Sequence, residues 1–383
     1  MNRFREYIIL FSFLITAVII TFYKVFSGKM VFVSGDSLSP IAVREGIKHF
    51  MDSGLSYPLW LPWIFSGMPS IHSFTNISDL YYPHQFFLIL NSFGLPWIWN
   101  FLIHIIFAGF GMYVLLRYFS CSKPSAIIAS VLFMLSPYMV TMTVFGHGSQ
   151  VMTASYIPLI IFYLFRLTKN YQKNDLLVFS LLLGLQLQRG HIQIAYYTWM
   201  MIGLFILLHN IEYLRDKTKE KFILLKENIY LFIALILGLL LSFNIYLPVL
   251  NYMNNSTRNS IKNDSSLDYA TQWSFSLGES LTMLFPYFRG FGGQTYTGSM
   301  PFTDYPNYIG ILVIFIGIIG FLKSSLNKNF KIFFLLVAIF SFLISLGHNF
   351  ISFFKIFYNF LPFFDRFRVP VYILILFYFS ILF

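Results

Sequence analysis

Apolar runs that reach the roughly 17–25 residues needed to cross a bilayer recur along this chain, and they constrain its fold more than any other feature. Solid runs of this kind read as helices. Strands of a membrane barrel would instead show short segments of alternating hydrophobicity. Composition points the same way, with 57% hydrophobic and 11% charged residues, whereas soluble domains carry about 25% charged residues. The expected class is all-α: a polytopic transmembrane helical bundle. The net charge of +11 is assigned to membrane topology rather than to nucleic acid. The single cysteine, Cys121, excludes an internal disulfide and reads as an inert structural thiol between Arg117 and Lys123.

About ten spans are expected. They lie near residues 7–26, 98–116, 125–145, 151–167, 176–187, 192–208, 229–250, 308–322, 332–346 and from Val369 onward. The first follows Arg3 and Arg5 and is too long for a signal-peptide core, so it reads as a retained helix. With the N-terminus in the cytoplasm, the inner connections collect Arg117, Lys123, Arg166, Lys169, Lys173, Arg215, Lys217, Lys219, Lys221, Lys226, Lys323, Lys328 and Lys331. The short outer turn at 146–150 has no Lys or Arg, as the positive-inside rule requires. Two long loops, 28–97 and 251–306, then fall outside. The last span has about fifteen residues, short for a crossing, so the chain reads as a piece of a longer single transmembrane domain covering 1–383.

The outer side gathers His49, His72, His84, His147, His191 and His348, six of the eight histidines, with most of the acids. Asp36, between Gly35 and Ser37, follows the first span closely. Such a carboxylate can take a proton from an attacking hydroxyl or bind a divalent cation, and it equally suits a helix N-cap or turn. Trp60–Pro69 is aromatic and proline-rich, cannot continue as a regular helix, and suits the membrane interface. Gly146-His147-Gly148 is a tight outer turn. Arg189, at the break between two apolar runs, suits a phosphate or a snorkelling interfacial position. Arg366 and Arg368 suit an anionic headgroup or an ion pair with Asp365.

Taken in order, these pieces resemble the bacterial YfhO-type membrane proteins, which belong to the multi-spanning C-type (GT-C) glycosyltransferases. The matching residues are Asp36, Trp60-x-Pro62-x-x-Phe65-x-Gly67-x-Pro69, Tyr82-Pro83, Gly146-His147, Gly190-His191-x-Gln193 and Phe367-Arg368-x-Pro370. Ile192 stands where that pattern has proline, and Tyr372 stands near an expected second basic residue.

The resemblance implies a GT-C-like bundle whose first outer loop carries interfacial helices and the catalytic carboxylate, Asp36. It implies a polyprenyl-phosphate sugar donor and an envelope glycan, lipid or protein acceptor, at the outer face of the bacterial cytoplasmic membrane. It makes His147, Arg189, His191, Gln193, Arg366 and Arg368 candidates for donor or acceptor binding, and a divalent metal is compatible but not indicated. Two rival readings stand beside transfer: a transporter or flippase of lipid-linked saccharides, and a non-catalytic envelope-assembly scaffold.

Overall fold

The computed structural model describes residues 3–73, 77–170, 172–215, 221–253, 255 and 264–383. Helices dominate them, and the sheet among them is a two-stranded antiparallel hairpin in which Trp60 pairs with Pro69 and Leu61 with Met68. Seven helical segments among the described residues are long and apolar enough to cross a membrane: Phe4–Thr21, Trp99–Tyr118, Lys123–Val144, Gly148–Lys169, Ile192–Arg215, Lys221–Leu240 and Lys328–Ser345. Ile311–Lys323 and Pro370–Leu382 are apolar but shorter, and Lys173–Gln188 has 16 residues.

Several of these segments are interrupted, and the interruptions have local causes. Lys123–Met134 gives way to a new helix that begins at Pro137, and Gly148–Ala154 to one whose second residue is Pro158. Proline lacks an N–H and is accepted where a helix starts, because that donor has no partner there anyway. The expected span 229–250 is instead two helices, Lys221–Leu240 and Phe243–Met253. At the joint, the Ser242 hydroxyl donates to the Leu239 carbonyl at 3.1 Å, offering the backbone an alternative to the regular ladder. Pro248 removes a further donor from the second piece. Lys217, Lys219 and the Asn- and Ser-rich opening of the second loop, at 254 and 256–263, lie outside the described residues.

The chain divides into two compact units. The first comprises Met1–Phe110, Met142–Ile192 and Tyr230–Asn259; the second comprises Gly111–Thr141, Gln193–Ile229 and Ser260–Phe383. In the first unit, Leu10, Leu14 and Val18 form a buried stripe at a spacing of four residues, while Ile8, Phe13 and Ile20 stay exposed. Exposed apolar side chains around that stripe suit a helix whose remaining face meets lipid. Gly148–Lys169 is the most buried of the seven segments, at 83% of its apolar window. The second unit is built largely of phenylalanine: Phe333 packs against Phe334 and Phe205, and Phe379 against Phe133 and Phe334.

In the first unit, Asp175 is buried and is held bidentately by Arg166, whose Nη2 donates to Oδ1 at 2.9 Å and Nε to Oδ2 at 3.2 Å. Removing the arginine leaves a buried carboxylate without its counter-charge, which costs about 3 kcal/mol or more. Arg166→Ala is therefore expected to lower the thermal unfolding midpoint of the detergent-purified protein by several degrees. An unchanged midpoint would show that this pair does not hold the helices Ile157–Asn170 and Lys173–Gln188 together.

Candidate functional site

The first long loop carries a capped helix, Gly35–Asp52. Ser34 is its N-cap: the Ser37 N–H donates to the Ser34 hydroxyl at 3.1 Å. Asp36 therefore sits in the first helical turn, where the positive end of the helix dipole favours a carboxylate. Its side chain is 68% exposed. Pro40 lies four residues on and has no N–H, so the Asp36 carbonyl lacks its intrahelical donor.

The Gly146–His147 turn meets this helix start within the first unit. His147 Nε2 lies 3.6 Å from Asp36 Oδ2. Gly146 makes the approach possible in two ways: its φ is +88°, and a Cβ there would stand 2.4 Å from the Asp36 carbonyl carbon and the Ser37 nitrogen. Gly148 is confined as well, since a Cβ would meet the Phe101 ring at 2.1 Å. Two glycines flanking a histidine thus lay the turn directly on backbone and ring. His191, half-buried, belongs to the same neighbourhood: desolvation lowers its pKa to about 3, and the charge of His147 pushes in the same direction.

Deeper in the first unit lies Arg189, the C-cap residue of Lys173–Gln188, 6% exposed. Its guanidinium carbon stands 4.1 Å from the centre of the Tyr81 ring, a cation–π contact. One Nη donates to the Met152 sulfur at 3.1 Å, a weak acceptor. Nε has no hydrogen-bond partner, and among the described residues no carboxylate pairs with this arginine. An unmet buried donor costs on the order of 1–3 kcal/mol, and more when it is charged, and an arginine cannot shed its proton to escape.

The groups around Arg189 are neutral and mutually satisfied. His104 Nδ1 lies 2.6 Å from the Asn100 carbonyl, so Nδ1 carries the proton and Nε2 is left as an acceptor. The Tyr81 hydroxyl then donates to His104 Nε2 at 3.1 Å and accepts from the Tyr156 hydroxyl at 2.5 Å. Burial raises the Tyr81 phenol, while the Tyr156 hydrogen bond and the Arg189 charge pull it back. His84, 3.5 Å from Asp79, is lowered by burial first; Asp79 raises it and Arg189 lowers it further. Gln188 fixes the arrangement. Its Oε1 accepts from the Tyr82 N–H at 3.1 Å, and its Nε2 donates to the Leu241 carbonyl at 2.7 Å.

The second unit holds the other expected residues. Gln193 donates to the Arg368 carbonyl at 2.6 Å, the Val369 carbonyl at 3.3 Å and the Tyr197 hydroxyl at 2.8 Å. Val369 has φ +63°, a strained value for a β-branched residue. Gln193 thus acts as a brace for that backbone. The Arg368 guanidinium stands over Trp273 and Tyr269, 4.9 and 5.1 Å from their centres, and reaches Gln272 at 3.4 Å. Arg366 Nε donates to Asp365 at 3.1 Å, the ion pair weighed for it. Ile192 opens the helix Ile192–Arg215, a position that also suits proline, so its departure from the resembled pattern is conformationally mild.

Glu279 is a further buried carboxylate, in the second unit. It accepts from the Tyr296 hydroxyl, from the Ser299 hydroxyl at 2.8 Å and from the Ser276 N–H at 3.2 Å. No single-residue signal marks it, but His104 carried one: an ionisable residue inside an apolar helix. Among the described residues no group of three or more His, Cys, Asp or Glu side chains is arranged to hold a metal ion.

Two tests follow from the first unit. Gly146→Ala is expected to separate the turn from the Asp36 helix and to lower the unfolding midpoint, because both backbone angle and space oppose a methyl there; an unchanged midpoint and unchanged Asp36 reactivity toward carbodiimide would refute the contact. For His191, the folded pKa lies below the unfolded value of about 6.5, so the unfolded chain binds more protons between them. Stability is complete above that upper value and is lost as pH falls toward about 3. His191→Gln is expected to flatten the decline in midpoint between pH 7.5 and 5; an identical decline in the variant would remove His191 as its source.

Comparison with protein-family models, with curated proteins and with solved structures returned no match to this chain.

Proposed function

We propose that this chain is an integral-membrane glycosyltransferase of GT-C-like type. It moves a sugar from a polyprenyl-phosphate-linked donor to an envelope acceptor at the outer face of a bacterial cytoplasmic membrane. The observation that carries the reading is the contact between Asp36 and the Gly146–His147 turn. These two pieces of the resembled pattern are remote in sequence. They meet at an exposed carboxylate with an imidazole beside it, which is the equipment that activation of a hydroxyl requires.

In this reaction the acceptor oxygen bonds to the anomeric carbon of the sugar while the bond from that carbon to the phosphate oxygen breaks. The acceptor proton passes to Asp36, and the lipid leaves as a phosphate monoester. His147 holds the carboxylate and the acceptor hydroxyl in register. The seven apolar segments support the membrane setting, and the absence of Lys and Arg from the 146–150 turn supports placing this site outside.

Asp36→Asn in purified full-length protein is expected to lower transfer from radiolabelled polyprenyl-phosphate sugars by a factor of about 100 to 10,000, the usual range for loss of a general base. His147→Gln is expected to lower it less. Undiminished transfer by Asp36→Asn would end the assignment. Movement of the lipid across vesicles without transfer by the wild type would favour the flippase, and dependence on the loop aromatics but not on Asp36 the scaffold.

A further inference from the structure

Arg189 is a buried cation with N–H groups that its own unit does not satisfy. Nε donates to nothing among the described residues, and one Nη reaches only a thioether. No neighbouring oxygen accepts from Nε, and the hydroxyls of Tyr81 and Tyr156 bond each other and His104 in the chain that ends on the Asn100 carbonyl. The Tyr81 ring covers one face of the guanidinium, which leaves recognition to its N–H edge. Two parallel N–H groups on such an edge match two oxygens of one oxyanion.

Charge decides which oxyanion fits. The titratable groups facing Arg189 are Tyr81, Tyr156, His84 and His104. The phenols are neutral at ordinary pH, and His104 accepts at Nε2 as a neutral imidazole. His84 faces Asp79, whose side chain is 65% exposed to solvent screening. Locally the site therefore offers one positive charge. A phosphate diester carries one negative charge and balances it, whereas a phosphate monoester carries close to two near pH 7 and leaves the excess in a poorly solvated place.

We infer that Arg189, backed by the Tyr81 ring, is a binding site for a singly charged phosphodiester that discriminates against the doubly charged monoester. Resting on the transfer reading, this gives the site a direction: the sugar-loaded donor is a diester and is held, and the spent lipid phosphate is a monoester and is released. The same chemistry could come from a lipid headgroup or from a free phosphodiester, and the probes below separate the two.

The test is equilibrium binding to the full chain in nanodiscs, with four probes: a short prenyl methyl phosphate diester, the matching prenyl phosphate monoester, dimethyl phosphate and inorganic phosphate. At pH 8 the prenyl diester is expected to bind about tenfold or more tightly than the monoester, a difference of about 1.4 kcal/mol. As pH falls through about 6, the second ionisation of the monoester, the gap is expected to close, with the diester unchanged. Titration of the protein affects both probes, so their ratio reports ligand charge. Binding of dimethyl phosphate as tight as that of the prenyl diester would identify the headgroup as the whole of the recognised ligand; much weaker binding would identify a lipid, and either supports the site.

Arg189→Gln is expected to abolish the preference and Arg189→Lys to weaken binding while keeping it. If Arg189→Gln does not fold, the lysine variant and the pH series still decide. Arg189→Met is expected to be at least as thermally stable as wild type without ligand, since it removes an unmet buried charge of the same length. Equal binding of monoester and diester at pH 8, wild-type diester affinity in Arg189→Gln, or no saturable binding of any probe would overturn the inference. Transfer without diester selectivity would sink this site alone; diester selectivity without transfer would sink the enzyme reading and leave the site.

Discussion

A single buried amide, that of Gln188, ties the first unit together. Its oxygen takes the Tyr82 N–H from the first long loop, and its nitrogen gives to the carbonyl of Leu241 at the break after Lys221–Leu240. The Tyr82 hydroxyl donates to that same carbonyl at 3.0 Å, closing a small ring of bonds. Both ends of the amide are therefore used, and losing either would strand a buried partner at full desolvation cost. Because Gln188 is fixed, the next residue, Arg189, is fixed, and because Tyr82 is fixed, so is the Tyr81 ring against it. The orientation of the charged group is a by-product of the bracing beside it.

The bracing sits where helices stop. In hydrocarbon a regular helix satisfies its own backbone, and irregular backbone survives only where protein or a wet cavity supplies partners. Leu241–Ser242 and Arg189–Gly190 are such stops, and each exposes carbonyls that side chains then collect. Tyr246 adds to this by donating to the Leu187 carbonyl at 2.7 Å. Part of the polar chemistry of the unit is thus gathered at its backbone breaks, while His104 and the Arg166–Asp175 pair sit within helices.

This explains what the sequence could and could not disclose. Apolar runs marked the long helices well, because a hydrophobic run is a property of many residues at once. The joint at Ser242 was hidden, since one serine and one distant proline hardly dent a hydrophobic average, and the expected span 229–250 came out as two helices. Asp36 and the Gly146–His147 turn were each visible as odd residues, but their meeting was not, because nothing local encodes a contact across a long separation. Arg189 was visible as a charge at a break. Its lack of a carboxylate partner was not, since that depends on which side chains the fold brings around it. The pair formed by Arg366 and Asp365 was legible because the two are neighbours.

Pro40 carries a consequence of its own. By withholding one N–H from the Asp36 carbonyl it leaves the opening turn of that helix one backbone bond short. Many other residues at position 40 would restore the missing bond and stiffen the segment. The turn that carries the exposed carboxylate is held by one backbone bond fewer than a regular helix would supply, which leaves that carbonyl to seek a partner outside its own helix.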